Sequence, residues 1–313
     1  MRILHLDTNH PILEELLAKA GFENHFDLNC TKEELLQKIE TYDALIIRSR
    51  IPIDAEVLSA SKRLKCVGRV GAGLENIDLE TAQQLGIRIV NAPEGNSNAV
   101  AEHCLGMLLS LLHKIPEANL SVKQGNWLRE AHRGTELGTK TVGIIGYGTM
   151  GKAFAQKISG LCAECVCVDI LPHKGDEYAR QVPLDELFEI ADVLSIHTPL
   201  TSKTTLMVNA AFLNRFHKPI YLLNTARGKI VETAALVQSL AIGKVIAAGL
   251  DVLEFEKSSF EQLSTTDKND AFQALIQHPK VLLSPHVAGW TKESNFKLAQ
   301  ITAQRVINCL DKN

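Results

Sequence analysis

The chain has 313 residues, 45% of them hydrophobic, and its 33 Lys and Arg against 36 Asp and Glu leave a formal charge of −3. That length accommodates two domains of ordinary size, and the near-neutral balance gives no electrostatic reason to expect nucleic acid or a membrane as partner. No run reaches membrane-spanning length, and the first residues, from Met1 to Asp7, read as a strand rather than a signal peptide, so a cytoplasmic protein is expected.

In chain order, a strand over 3–7 precedes a helical pattern over 11–20, and Thr31 caps a second helix over 32–40. A short apolar run follows at 44–47, a helix from Ala55, and strands over 64–70 and 87–90. Such alternation predicts parallel strands covered by helices. From Ser97 or Asn98 an apolar stripe (Val100, Cys104, Leu105, Leu108, Leu109, Leu112) predicts a long helix.

The next strand, 141–145, runs directly into Gly146, Tyr147, Gly148, Thr149, Met150 and Gly151, and a further strand over 164–168 ends on Asp169. This order is the dinucleotide fingerprint. The first glycine permits a tight turn, the second lets the backbone approach a pyrophosphate, and the third lets the helix over 152–159 pack on the strand. The free N–H groups of that helix face the phosphates. Asp169, 18 positions after Gly151, is placed to accept hydrogen bonds from the adenosine ribose and to repel a 2′-phosphate, which favours NAD over NADP.

Strands over 192–197, 220–224, 245–250 and 281–284 complete a six-stranded doubly wound sheet with the first two. An amphipathic helix over 292–310, too short to be a domain, is expected to return to the N-terminal domain. The expected domains are therefore 1–97 plus 288–313, and 98–287. Seven cysteines are odd in number and lack disulfide spacing; Cys162, Cys165 and Cys167 read as core thiols of a buried strand rather than metal ligands, and no metal is expected.

Three segments end strands on the carboxyl side, where open α/β sheets bind ligands: Asn224 to Gly228, Asp251 to Glu256, and Ser284 to Gly289. They bring Arg, Glu and His to one place beside the nicotinamide. Hydride transfer from a carbinol carbon leaves a proton on oxygen, and histidine, with a pKa of ~6.5, exchanges it near neutral pH. A carboxylate on the other ring nitrogen sets the tautomer, and a guanidinium holds the substrate carboxylate and polarises the carbonyl.

With these segments the sequence resembles the D-isomer-specific 2-hydroxyacid dehydrogenases over nearly its whole length. Val67 to Asp78 is similar to the family's substrate loop, Asn91 to Ser97 with Ala101, Glu102 and His103 to the entry of its long interdomain helix, and His197, Thr198 and Pro199 to a cofactor-contact segment. The resemblance implies Arg227 as the substrate arginine, Glu256 as the carboxylate partner and His286 as the acid/base. It also implies cofactor contacts from Ile170, Thr225, Ala226, Asp251 and Gly289, and substrate contacts from Arg69, Val70, Gly71, Ala72 and Asn96. The family usually continues the glutamate with proline, whereas here Lys257 and a polar insertion over 258–270 follow; Glu254 competes with Glu256, which has the family's spacing from Asp251. The insertion reads as a tolerated surface loop, with a lid as the alternative.

The fold expected is α/β, two Rossmann-like doubly wound domains, one a flavodoxin-like substrate domain and one an NAD-binding domain, with a cleft between them. In the resembling family the long helix is a dimer element, which implies a homodimer. Within the family, residues 45–50, Gly68, Arg69 and 94–97 resemble the phosphoglycerate dehydrogenases. Arg48, Arg50 and Arg69 would then anchor a substrate phosphate. The expected reaction is NAD-dependent oxidation of D-3-phosphoglycerate. The alternatives are a glyoxylate or hydroxypyruvate reductase, or a nucleotide-sensing binder on the same fold. Ending at Asn313, the chain is not expected to carry serine feedback through a C-terminal regulatory domain.

Overall fold

The computed structural model describes residues 1–256 and 270–311, so the insertion expected over 258–270 lies, but for its last residue, outside the described residues. Among them the chain forms two compact units, residues 1–96 with 290–311 and residues 97–256 with 270–289.

In the first unit the strands are β1 (Arg2–His5), β2 (Glu23–Phe26), β3 (Ala44–Ile47), β4 (Cys66–Arg69) and β5 (Arg88–Val90). All pair in parallel in the order β2-β1-β3-β4-β5, the flavodoxin-like arrangement in which strand order reverses between β1 and β3. Sequence patterning does not reveal β2. Its residues Glu-Asn-His-Phe carry no apolar run, and pairing with β1 at the sheet edge is what makes them a strand. Local capping is legible, since Thr31 and Glu34 form a reciprocal capping box at the helix Lys32–Lys38. The last helix, Lys292–Leu310, packs on this sheet, where a Cβ at Gly68 would lie 2.7 Å from Val306.

The second unit holds β6 (Thr141–Ile145), β7 (Glu164–Val168), β8 (Arg180–Gln181), β9 (Val193–Ile196), β10 (Ile220–Asn224), β11 (Val245–Leu250) and β12 (Val281–Leu283). They form one parallel sheet in the order β12-β11-β10-β9-β6-β7-β8. The sheet has seven strands, not the six expected. The extra one, β8, is two residues long and follows a loop, too short for any periodicity to register.

Buried clusters cover both faces of this sheet, one around Leu194, Leu222, Phe188 and Phe216, the other around Ile144, Leu223, Phe154 and Leu108. The long helix is Ser97–Leu112; of its stripe, Val100, Cys104, Leu108 and Leu112 are buried inside this second cluster, and Leu105 and Leu109 pack against it partly buried. All seven cysteines are free thiols; Cys167 is buried, Cys162 and Cys165 are half-buried, and burial raises the pKa of each of these three.

Candidate active site

Three loops leave the carboxyl ends of β10, β11 and β12. Buried Asn224 ends β10 and shapes the first, accepting from Ala226 N at 3.0 Å and donating to Arg227 O at 3.0 Å. Arg227 Nη1 in turn donates to Ala226 O at 2.6 Å. A Cβ at Gly228 would lie 1.9 Å from Leu253 O, so only glycine lets this loop close on the one after β11. That closure packs the Arg227 loop against the segment that carries Glu256.

Glu256 is held by its own loop, with Oε1 accepting from Leu253 N at 2.5 Å. Its other oxygen, Oε2, lies 2.8 Å from His286 Nδ1. Glu254, the sequence competitor, points elsewhere, accepting from Thr233 N at 2.8 Å at the start of the helix Thr233–Ala241. An ionised carboxylate can only accept, so facing one, this contact calls for the ring proton on Nδ1 of His286.

His286 has φ +55°, a left-handed conformation that costs a non-glycine residue about 1 kcal/mol or more. Asp251 enforces it. This aspartate is 1% exposed, and its carboxylate accepts from Ser284 Oγ at 2.5 Å, Val287 N at 2.9 Å and Ala288 N at 2.8 Å, while its carbonyl accepts from His286 N at 2.8 Å. Asp251, the expected cofactor contact, thus also shapes the turn that presents His286. His103 Nε2, 2.9 Å from Ser284 Oγ and 3.6 Å from Asp251 Oδ1, braces the same turn from the long helix. Sequence reasoning assigned no role to Asn224, Ser284 or His103, although all three stand in the segments it singled out.

The glycine loop after β6 fits a dinucleotide. Gly146 has φ +91°, and a Cβ there would lie 2.7 Å from His197 O; a Cβ at Gly151 would lie 2.2 Å from Gly146 O. A Cβ at Gly148 meets nothing within 4 Å, so the backbone beside Thr149 and Met150, at the head of the helix Thr149–Ile158, is open to an incoming phosphate. Asp169 accepts from Tyr147 N at 2.8 Å and from Leu171 N at 2.9 Å, and each carboxylate oxygen keeps a lone pair for a ribose hydroxyl. Ile170 beside it is 98% exposed.

At the end of β9, Thr198 Oγ1 is buried without a partner, an acceptor and donor that a bound cofactor would satisfy, between His197 and the exposed Pro199. His197 bonds Ser195 Oγ at 2.8 Å, and burial drives its pKa down to about 4. Thr225 is tied at 3.1 Å to Cys104 Sγ, whose thiol burial pushes up to about 12; Ala226 is buried, and Gly289 closes the segment after His286.

In the first unit Arg48 and Arg50 follow β3 at the reversal of strand order. Arg50 does not fit a phosphate anchor. Its guanidinium donates to Cys30 O at 2.6 Å and Leu6 O at 2.5 Å and lies 3.6 Å from Asp7, so it ties loops of its own unit together. Arg48 stacks 4.3 Å from the Trp290 ring centroid. Arg69 folds over Gly71, where a Cβ would lie 1.2 Å from its Nη1. The Val70 side chain is 3% exposed and belongs to the core, so a contact from this residue would come from its backbone. Ala72 O accepts from Asn91 Nδ2 at 2.6 Å, and Asn96 Oδ1 is buried without a partner.

The model of the D-isomer specific 2-hydroxyacid dehydrogenase NAD-binding domain matches residues 105–288. The chain belongs to this dehydrogenase family. It is 36% identical over 306 residues to the D-3-phosphoglycerate dehydrogenase of Archaeoglobus fulgidus, covering 95% of this chain and 56% of that protein. The chain therefore spans about half the length of the phosphoglycerate dehydrogenases it matches. It is also 33% identical over 267 residues to the hydroxypyruvate reductase of Thermotoga maritima, covering 85% of this chain and 84% of that protein. Among solved structures, D-lactate dehydrogenase from Aquifex aeolicus, complexed with NAD and lactic acid, superposes with a TM-score of 0.83 at 27% identity, over 100% of this chain and 96% of that one.

In a dehydrogenase of this family NAD supplies the hydride acceptor or donor. Among the described residues no group of three or more His, Cys, Asp or Glu is arranged to hold a metal ion, and no helix is long and apolar enough to cross a membrane.

Proposed function

We propose that the protein catalyses NAD-dependent oxidation and reduction of a D-2-hydroxyacid and its 2-oxoacid. The observation that carries this reading is the His286–Glu256 contact of 2.8 Å, on the loops that also present Arg227. In the proposed reaction His286 Nε2 takes the C2 hydroxyl proton as hydride leaves the same carbon. Glu256 holds the resulting imidazolium, and Arg227 binds the substrate carboxylate and stabilises charge on the carbonyl oxygen.

The substrate we propose is D-3-phosphoglycerate, oxidised to 3-phosphohydroxypyruvate, with Arg48 and Arg69 recognising the phosphate. The likeness to the phosphoglycerate dehydrogenase of Archaeoglobus fulgidus supports it. A second reading is a hydroxypyruvate or glyoxylate reductase, favoured by the commitment of Arg50 to Cys30 and Leu6 and by the match over most of the Thermotoga maritima reductase. Initial rates with D-3-phosphoglycerate, D-glycerate and D-lactate, each with NAD and NADP, test both. A preference for the phosphorylated acid, lost in Arg48→Ala and Arg69→Ala, supports the first; equal rates across the panel eliminate it.

We also propose a homodimer. The long helix, expected to supply its apolar surface, uses most of that surface internally, and a further apolar surplus lies just beyond it. Ile115, Leu120, Val122, Trp127 and Leu128 are each at least half exposed within one short stretch of chain. Sedimentation of a species about twice the 34.4 kDa chain mass, reduced to monomer by Trp127→Ser with Leu128→Ser, is expected. A species of single-chain mass at micromolar concentration contradicts it.

A further inference from the structure

Tyr147 stands between the first two glycines of the fingerprint, and its side chain is wholly buried, packed with Ile144, Phe154, Cys167 and Ala179. It makes two separate contacts with the region beyond β7. Its backbone N–H donates to Asp169 Oδ2 at 2.8 Å, and its phenol donates to Asp176 Oδ1 at 2.5 Å. Asp176 also accepts from Tyr178 N at 3.0 Å and from Lys152 Nζ at 3.1 Å. Burial and the Asp176 carboxylate raise the phenol's pKa, so the hydroxyl stays a donor throughout the working pH range, while the hydrogen bonds from Tyr147, Tyr178 and Lys152 hold the Asp176 carboxyl below its ordinary value.

Residues 170–179 connect β7 to β8 and line an open depression of about 870 Å³ with Asp169, Ile170, His173 and Gly175 on its wall. The first half of this connection is held by Gln181, which accepts from Lys174 N at 2.7 Å and donates to Leu171 O at 2.9 Å. Its second half is anchored on Asp176. Asp169, the acid that would face the ribose, is itself on that wall, so this is where the adenosine half of the cofactor would sit.

We propose that Tyr147 is a positioning residue for the adenosine half of NAD: its phenol, through Asp176, fixes the wall of residues 170–179 while its amide fixes Asp169. One residue, through its amide and its buried phenol, thereby couples the pyrophosphate loop to the adenosine pocket. The inference rests on the dinucleotide reading of this site. Tyr147→Phe keeps the buried ring and removes only the hydrogen bond, and Asp176→Asn keeps the shape and weakens the same bond from the other side.

The test is calorimetric titration of AMP, ADP-ribose and NADH into the wild type and both variants, with amide hydrogen exchange over 170–179 and kcat at saturating NAD. The expected result is about tenfold weaker binding of all three ligands, including AMP, which carries no nicotinamide, faster exchange across 175–179, and unchanged kcat. Wild-type affinity for AMP in Tyr147→Phe, or a fall in kcat without a change in affinity, overturns the proposal. Failure of the wild type to bind AMP or NADH at all would instead defeat the dinucleotide reading, and the proposal with it.

Discussion

His286 and Glu256 lie 30 positions apart in the chain, yet Nδ1 of the one sits 2.8 Å from Oε2 of the other. The pair is assembled by two loops that share no local sequence signal. Asp251 sets the first, by holding His286 at φ +55°, and the Leu253 amide sets the second, by fixing the Glu256 carboxylate.

Substitution should separate the two glutamates. His286→Ala is expected to lower kcat by about 10²–10⁴-fold, and Glu256→Gln by about 10²-fold or more, both with NADH binding retained. Glu254→Gln should leave turnover intact and cost no more than about 1 kcal/mol of stability, because the amide oxygen still accepts from Thr233 N and only a negative charge at a helix start is lost. Steady-state kinetics with urea unfolding on the same three variants decides it; a kinetic defect in Glu254→Gln equal to that of Glu256→Gln contradicts the assignment.

The glycines of the fingerprint should fail in different ways. Gly151→Ala drives a methyl to 2.2 Å from a backbone oxygen and is expected to lower Tm sharply. Gly148→Ala meets nothing within 4 Å and should keep the wild-type Tm while binding NADH more weakly, since the methyl occupies space needed by the pyrophosphate. Melting curves with and without NADH distinguish the two effects.

Replacing Asp169 with Ser should raise the ratio of kcat/KM for NADP to that for NAD. It should also weaken NAD itself, because Tyr147 N loses its acceptor at 2.8 Å. An unchanged cofactor ratio across the pair of assays would sink the claim that this carboxylate selects the ribose.

His197 predicts a pH dependence of stability. Its pKa is about 4 in the folded protein against an ordinary 6.5, so between those values the unfolded chain binds more protons. The stability that depends on keeping this ring neutral is complete above about pH 6.5 and is lost as pH falls toward 4. Urea unfolding of the cofactor-free protein at pH 7.5 and 4.5 should show a smaller acid loss for His197→Gln than for the wild type; equal losses would show that the ring is solvated in both states.

Much of this protein is legible in its sequence where the signal is local. Apolar runs announce β3, β6, β9, β10 and β11, and Thr31 announces its helix, because each depends on neighbours within a few residues; the order of strand, glycines, helix, strand and Asp169 announces a dinucleotide, because one contiguous unit carries it. Strands β2 and β8 are invisible at that level, since only a pairing partner elsewhere in the chain makes them strands.

Side-chain roles divide in the same way. Family resemblance nominated Arg50 and Val70 as substrate contacts, and tertiary structure occupies the Arg50 guanidinium with the carbonyls of Cys30 and Leu6 and buries the Val70 side chain in the core. Tertiary structure also gave Asp251, nominated as a cofactor contact, hydrogen bonds that shape the His286 turn, and left Glu256 rather than Glu254 facing the imidazole. The sequence by itself determined which chemical groups the strand ends carry. Which of those groups meet is a matter of hydrogen bonds between segments distant in the chain, and only the folded structure decides it.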